Sequence, residues 1–297
     1  MTEGTLGTIQ LEKQARTSEF RRFLRIFFGR GLVVFGTIII ALFLFTAAFG
    51  PWIAPYDPYV QDLGATLASP SSEHLLGTDF FGRDVLSRLI YGARNSLMVG
   101  VVALGIAAII GMASGLIAGF FGGWLYTVIM RMVDALMSFP MILLALLIAA
   151  LLGGGLVNVM IALGIAMIPG YARLMCGLTQ SAKESDYIIA GHSLGSSSMR
   201  IMFRHILPNT FPPIIVLITM QIGAAILAEA GLSFLGIGIT PPAASWGAMI
   251  NEGYNRLRDT PLLSFAPGVA IMLVVFAFNM VGDGLRDALD PRLRGVI

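Results

Sequence analysis

Uncharged, strongly apolar stretches recur along the chain, each bounded by glycine, proline or a cluster of charge. The first runs from Gly31 to Phe49 and stops at Gly50-Pro51. A second covers Leu97 to Phe120, and a third, about Met132 to Leu152, carries Asp134 near its start and Pro140 inside. The turn Gly153-Gly154-Gly155 divides the third from a fourth, about Leu156 to Met175. The fifth covers about Phe211 to Ala230 and the sixth about Phe265 to Val281. A hydrocarbon core takes roughly 20 apolar residues in a helix. The pattern therefore predicts an all-α, polytopic membrane protein of about six transmembrane helices. It divides the chain into a leading segment 1–30, the first helix 31–49, a loop 50–96, a five-helix core 97–284 with a long connection 179–209, and a tail 285–297.

Composition agrees, with 56% of residues hydrophobic and only 12% charged, against roughly 25% charged in soluble domains. A net charge of +2 leaves no footprint for nucleic acid. Charge placement carries more than its sum. Lys13, Arg16, Arg21, Arg22, Arg25 and Arg30 precede the first span, which holds that end inside. Alternation puts Arg131, Arg173, Lys183, Arg200, Arg204, Arg286, Arg292 and Arg294 on the same side. Outside fall Arg83, Arg88, Arg94, Arg256 and Arg258. A cleaved signal peptide is the competing reading of the first span, but about thirty residues precede it and it exceeds a signal core in length. The single Cys176 rules out a disulfide framework and any Cys-based metal cluster, and His74, His192 and His205 are too scattered for a metal site.

The connection from Thr179 to Asn209 is the longest on the inner side. Ser185 or Asp186 can cap a short helix with Tyr187, Ala190, Gly191 and Leu194 on one face. Gly195 suits the left-handed position that ends a helix, and Ser196 to Ser198 cap a second. Met199, Met202, Phe203 and Ile206 follow at helical spacing, with Pro208 as a stop before the next span. Two short helices meeting at a glycine make a compact knuckle. It can lie on the lipid headgroups with Arg200 and Arg204 toward phosphate, or dock into a partner's groove. The residues alone leave both open.

This loop resembles the EAA motif of ABC-importer permeases. Ala190, Gly195, Leu207 and Pro208 stand at its positions, while Ile189 replaces its acidic residue and Gly191 its second alanine. An ion pair made by that acid elsewhere is therefore lost here. Further segments, in order, resemble the second permease subunit of the dipeptide/oligopeptide/nickel importers. They are Trp52-Ile53-Ala54-Pro55-Tyr56-Asp57-Pro58, His74 to Asp79, Gly82 to Arg88, Tyr91 to Arg94, Leu232 to Gly238, Ser245-Trp246-Gly247, Phe278-Asn279, Gly282 to Asp287 and Leu289-Asp290-Pro291. The resemblance implies a type I ABC-importer permease fold in a bacterial or archaeal plasma membrane, with both termini cytoplasmic. It implies three kinds of partner: a paralogous permease, two cytoplasmic ATPase subunits and an extracytoplasmic substrate-binding protein. The cargo implied is di- or oligopeptides, with nickel chelates or glutathione as the alternative. Asp186 to Pro208 would be the stretch coupled to the ATPases. The chain has no Gly-x-x-x-x-Gly-Lys phosphate loop, its only lysines being Lys13 and Lys183. No cofactor and no catalytic residue are expected, and ATP hydrolysis belongs to the partners.

The remaining polar residues divide between structure and pathway. Asp84 and Arg88, Arg131 and Asp134, and Asp283 and Arg286 are spaced for pairing along a helix. Glu229 lacks such a neighbour, so it either binds a partner helix or lines the pathway and meets a substrate amine. Gln221, Asn158, Asn279 and Thr219 are further candidates to line a polar passage, although interhelical hydrogen bonding is the commoner use of such residues. The methionines near Met130 to Met141 read as fillers of helix contacts. Trp246 to Arg258 reads as a short helix over the pore mouth. The rival class, an ion-coupled secondary transporter or channel, would need buried acidic relays that this chain scarcely offers.

Overall fold

The computed structural model describes residues 19–289. Lys13, Arg16, Arg292 and Arg294, counted above toward the inside, and the Asp290-Pro291 pair lie outside the described residues. Among the described residues there is no strand, and the elements are helices: α1 (Glu19–Phe27), α2 (Gly31–Ile53), α3 (Val85–Phe121), α4 (Gly123–Met137), α5 (Met141–Leu152), α6 (Leu156–Lys183), α7 (Asp186–Ser193), α8 (Ser198–Phe234), α9 (Trp246–Tyr254) and α10 (Leu262–Leu289).

Five of these, α2, α3, α6, α8 and α10, are long and apolar enough to cross a membrane. The expected third span departs from a simple rod. It is the end of α4 and all of α5, meeting at 91° around Ser138 to Pro140. Pro140 supplies no N–H and disfavours helix at Phe139, which breaks the ladder there. The 12 residues of α5 rise only about 18 Å, so the pair makes at most one broken crossing. The other spans extend beyond their apolar limits. Asp84 accepts the Ser87 amide and starts α3 twelve residues before Leu97. Likewise α6 continues eight residues past Met175 to Lys183. The expected 179–209 connection therefore contracts to the residues between Lys183 and Ser198, with Thr179 buried inside α6.

α3 and α6 form the most extensive packing in the bundle, running side by side in the same direction. A Cβ on Gly111 would meet the Ile168 carbonyl at 2.8 Å, and one on Gly119 the Cys176 carbonyl at 2.8 Å. Between them Gly115 faces Ala172 and Met175. Small residues four apart let two backbones touch where apolar burial alone gives no drive between helices in lipid.

At the opposite end from the 184–197 connection, the 54–84 loop folds over a buried ionic cluster. Asp79 is fully buried and binds Arg83 Nε at 2.6 Å and Arg88 Nε at 3.3 Å. Arg83 also reaches Glu252 of α9 at 3.5 Å, and Arg88 donates to the Pro58 carbonyl at 3.3 Å. The expected Asp84–Arg88 pair is not formed. Asp84 instead caps α3 and accepts from His74 Nδ1 at 3.0 Å. Nor is this an exposed pair: Arg83 and Arg88 are 2% and 1% exposed. Burial pushes the Glu252 carboxyl above the usual carboxylate range, against the opposing pull of Arg88 and Arg83.

The other predicted pairs are rearranged as well. Asp134 binds Arg173 of α6, not Arg131 on its own helix. Among the described residues Asp283 and Arg286 form no ion pair, whereas Arg30 binds Asp287 at 2.7 Å. Sequence spacing names neighbours on one helix, but these partners lie on different helices.

Candidate functional site

The knuckle is present. α7 begins after an extended Ser185, whose side chain makes no capping bond, and its first-turn amide Ile188 N donates to the Ser185 carbonyl at 2.9 Å. It ends at Gly195, φ +77°, with the Ser196 amide reaching back to the Gly191 carbonyl at 3.0 Å. That turn needs a left-handed residue, and glycine takes it without a Cβ penalty. Ser197 caps the next helix by accepting the Arg200 amide at 3.4 Å.

Pro208 does not stop this helix. α8 runs unbroken through Pro208, Pro212 and Pro213 to Phe234. The missing Pro208 N–H and its ring crowd the Arg204 carbonyl, and residues Ile201–Ile206 widen into a π-turn whose last bond joins Leu207 N to Met202 O. The wider turn regroups the side chains. Ile201, Met202 and Ile206 point into the bundle at 0%, 3% and 0% exposure, while Met199 and Phe203 face out. The expected common face of Met199, Met202, Phe203 and Ile206 is thus split in two.

On α7 only Ile188 is buried. It joins Ile201, Met202 and Ile206 against Leu116, Phe120, Tyr171 and Met175 at the ends of α3 and α6. Lys183 donates to the Phe120 carbonyl at 2.5 Å, and His192 stacks on the Phe120 ring at 6.2 Å. Asn209 ties α8 to the Tyr187 hydroxyl at 3.2 Å. The outer surface of this bracket carries an apolar tip, Leu194 at 87% exposure with Met199, Phe203, Ile189 and Tyr187, flanked by exposed His192, Arg200 and Arg204. Asp186 and Ala190 are exposed, Gly191 half-buried, and a Cβ on Gly191 or Gly195 would meet nothing within 4 Å. Ile189, at the position of the motif's acid, adds to the apolar surface. The arrangement is a braced handle with a greasy, uncovered tip.

The five pathway candidates are not brought together. Glu229 is fully buried, and its carboxyl accepts from Ser233 at 2.7 Å, Ser245 at 3.0 Å and Ser96 at 3.3 Å. It joins α8 to α3 and to the cap of α9, so it faces neither water nor a substrate amine. Asn158 donates to the Leu152 and Gly154 carbonyls and closes the glycine turn. Asn279 donates to Val275 within its own helix at 2.8 Å, as Thr219 does to Ile215 at 3.0 Å. Gln221 is half-buried near the middle of α8. Trp246 to Tyr254 is a helix as expected, pinned by Trp246 Nε1 on the Leu89 carbonyl at 2.9 Å.

Residues 111–295 match the family described as binding-protein-dependent transport system inner membrane component. Residues 18–70 match the N-terminal TM domain of oligopeptide transport permease C. The chain is 44% identical over 296 residues to the glutathione transport system permease protein GsiD of Escherichia coli O6:K15:H31, covering 99% of this chain and 97% of that one. It is 44% identical over 263 residues to the dipeptide transport system permease protein DppC of Alkalihalophilus pseudofirmus, covering 89% and 86%. The fold resembles a chain in the inward-facing MetNI methionine ABC transporter, with TM-score 0.58 and 19% identity over 68% of this chain and 96% of that chain.

Proposed function

The chain belongs to the inner-membrane components of binding-protein-dependent transport systems, and from that premise we propose that it is one half of the pore of an ATP-driven importer of short peptides. Similarity to permeases named for glutathione and for dipeptides supports the cargo: both are small peptidic solutes with free carboxylates and an amine. A paralogous permease completes the pore, two ATPases sit on the cytoplasmic side, and an extracytoplasmic binding protein delivers the solute.

One observation carries the mechanism, the apolar tip on the bracket of α7 and the start of α8. An exposed apolar surface held on a rigid mount suits a groove in a partner. Here the mount is Ile188, Ile201, Met202 and Ile206, inserted between the ends of α3 and α6. Closure of the ATPase pair moves the tip, and the mount passes the displacement to the two most closely packed helices of the bundle. Nucleotide shifts the equilibrium because the two states differ in their contacts at this tip.

The test is Leu194→Asp and Gly195→Val in the reconstituted four-component complex. Leu194 is on the surface of the subunit, so Leu194→Asp should leave its fold intact, while Gly195→Val strains the left-handed turn itself without meeting a neighbouring atom. Binding-protein-stimulated ATP hydrolysis and uptake should fall together. Unchanged coupling in both variants would refute the role. Proteoliposomes holding this chain alone should show no gradient-driven uptake.

A further inference from the structure

α6 carries a contradiction for a helix crossing lipid. From Asn158 to Lys183 its exposed residues are Gly170, Arg173, Gly177, Gln180 and Ser181, with no apolar side chain among them. α2 shows what a lipid-facing surface looks like, exposing Leu32, Phe35, Ile38, Leu42 and Phe45. Arg173 lies ten residues before Lys183, about 15 Å along α6 and within a helix long and apolar enough to cross a membrane. It is nevertheless 51% exposed, and its partner Asp134 is 48% exposed.

α4 is exposed over most of its surface, with only Val133 buried; Thr127, Arg131, Asp134 and Ser138 recur along it at helical spacing, beside exposed Trp124, Tyr126 and Met137. Val128 and Met132 are exposed further round. The two stripes meet at the Asp134–Arg173 ion pair. A charge within a span is costly against hydrocarbon, so it pairs and faces the interior of an assembly or a water-filled cavity. A Cβ on Gly170 or Gly177 would meet nothing within 4 Å, so the surface beside Arg173 is open space.

From these observations we infer that the polar stripes of α4 and α6 line the aqueous passage, and that Arg173 and Arg131 receive the carboxylate of a passing short peptide while Asp134 receives its ammonium. In the state described here Arg173 and Asp134 satisfy each other; an entering zwitterion exchanges that bond for two of its own. The inference rests on the permease reading and names what the passage recognises.

The test uses Thr127→Cys, Ser138→Cys and Gly177→Cys in the assembled, reconstituted complex, with Val128→Cys and Met132→Cys as lipid-side controls. The wild-type chain, whose lone Cys176 is buried, sets the background. The probes are two membrane-impermeant thiol reagents, anionic MTSES and cationic MTSET. The stripe cysteines should react at rates that change when vanadate traps the ATPases, while the controls stay at background. Arg173→Gln should lower the MTSES-to-MTSET rate ratio at Gly177→Cys about five-fold, and Arg173→Lys should restore it. Stripe cysteines inert in every nucleotide state, as in a buried contact with the second permease, would overturn the inference, as would a ratio indifferent to Arg173. A complex that transports normally with an inert stripe defeats this inference alone. Failure of the chain to assemble with ATPases defeats the permease reading instead.

Discussion

Replacing Glu229 separates a structural hub from a substrate contact. In Glu229→Ala three buried hydroxyls lose their acceptor. Ser96 and Ser233 lie within helices and can turn to carbonyls of their own preceding turns, so their loss is largely recovered. Ser245 has no such recourse, and an orphaned buried hydroxyl costs about 1–3 kcal/mol. The missing side chain leaves a void among Ser96, Ser233 and Ser245, which adds roughly 2 kcal/mol at the usual cost of a cavity of that size. Together Glu229→Ala should lose about 3–5 kcal/mol, lowering the apparent melting midpoint of the detergent-solubilised complex by roughly 6–15 °C. Glu229→Gln keeps the volume, and its amide can donate to the serine oxygens and accept in return, so about 1 kcal/mol or less should be lost. Uptake per folded complex should be near normal in Glu229→Gln. If Glu229→Gln abolished uptake with an unchanged midpoint, the carboxylate would be meeting solute, and the hub argument would be wrong.

Other substitutions follow the same logic. Gly115→Val drives a side chain into the Ala172 carbonyl and within about 2.9 Å of Met175 Cβ, so assembled protein should disappear from the membrane fraction, while Gly105→Ala, with nothing within 4 Å, should be recovered at wild-type yield. Asp79→Asn leaves Arg83 and Arg88 buried without their shared anion and should cost about 3–5 kcal/mol in thermal unfolding. The raised Glu252 pKa means the folded state binds a proton more readily than the unfolded chain, whose value stays near 4.5. Stability from this site is therefore gained as pH falls through the raised value and lost as pH rises through it. The midpoint of wild type minus that of Glu252→Gln should grow as pH falls from 8 toward 5, and a difference that shrinks would contradict the assignment.

The helical class and the positions of most spans were legible, because runs such as Gly31 to Phe49 admit no other state in a chain with so little charge. The Gly195 turn and the Ser197 cap were legible for a similar reason, each resting on one residue's local chemistry. What escaped depends on contacts between distant segments. Glu229 has no partner at helical spacing, yet Ser96 lies 133 residues away. Asp134 took Arg173 across 39 residues in preference to Arg131 at three. Two missed features did leave signals. Gly111, Gly115 and Gly119 repeat at four-residue intervals, the mark of a close helix contact. Thr127, Arg131, Asp134 and Ser138 trace a polar line that runs past Met132 into the third apolar stretch. The split of Met199 and Phe203 from Met202 and Ile206 was not legible from α-helical spacing, since it follows from a π-turn.

The fastening of α3 to α8 constrains how the subunit can move. Glu229 and Ser96 join the two rods near one end, and near the other Phe120, Ile201 and Ile206 share one buried apolar cluster. A truss joined at both ends does not fold at its middle; it swings whole. From Ile201 to Glu229 the arm measures about 42 Å, so a tilt of about 10° displaces its tip by roughly 7 Å. Motion delivered at that tip therefore has to reappear at the far extremity as rotation of the entire frame against whatever stands beside it.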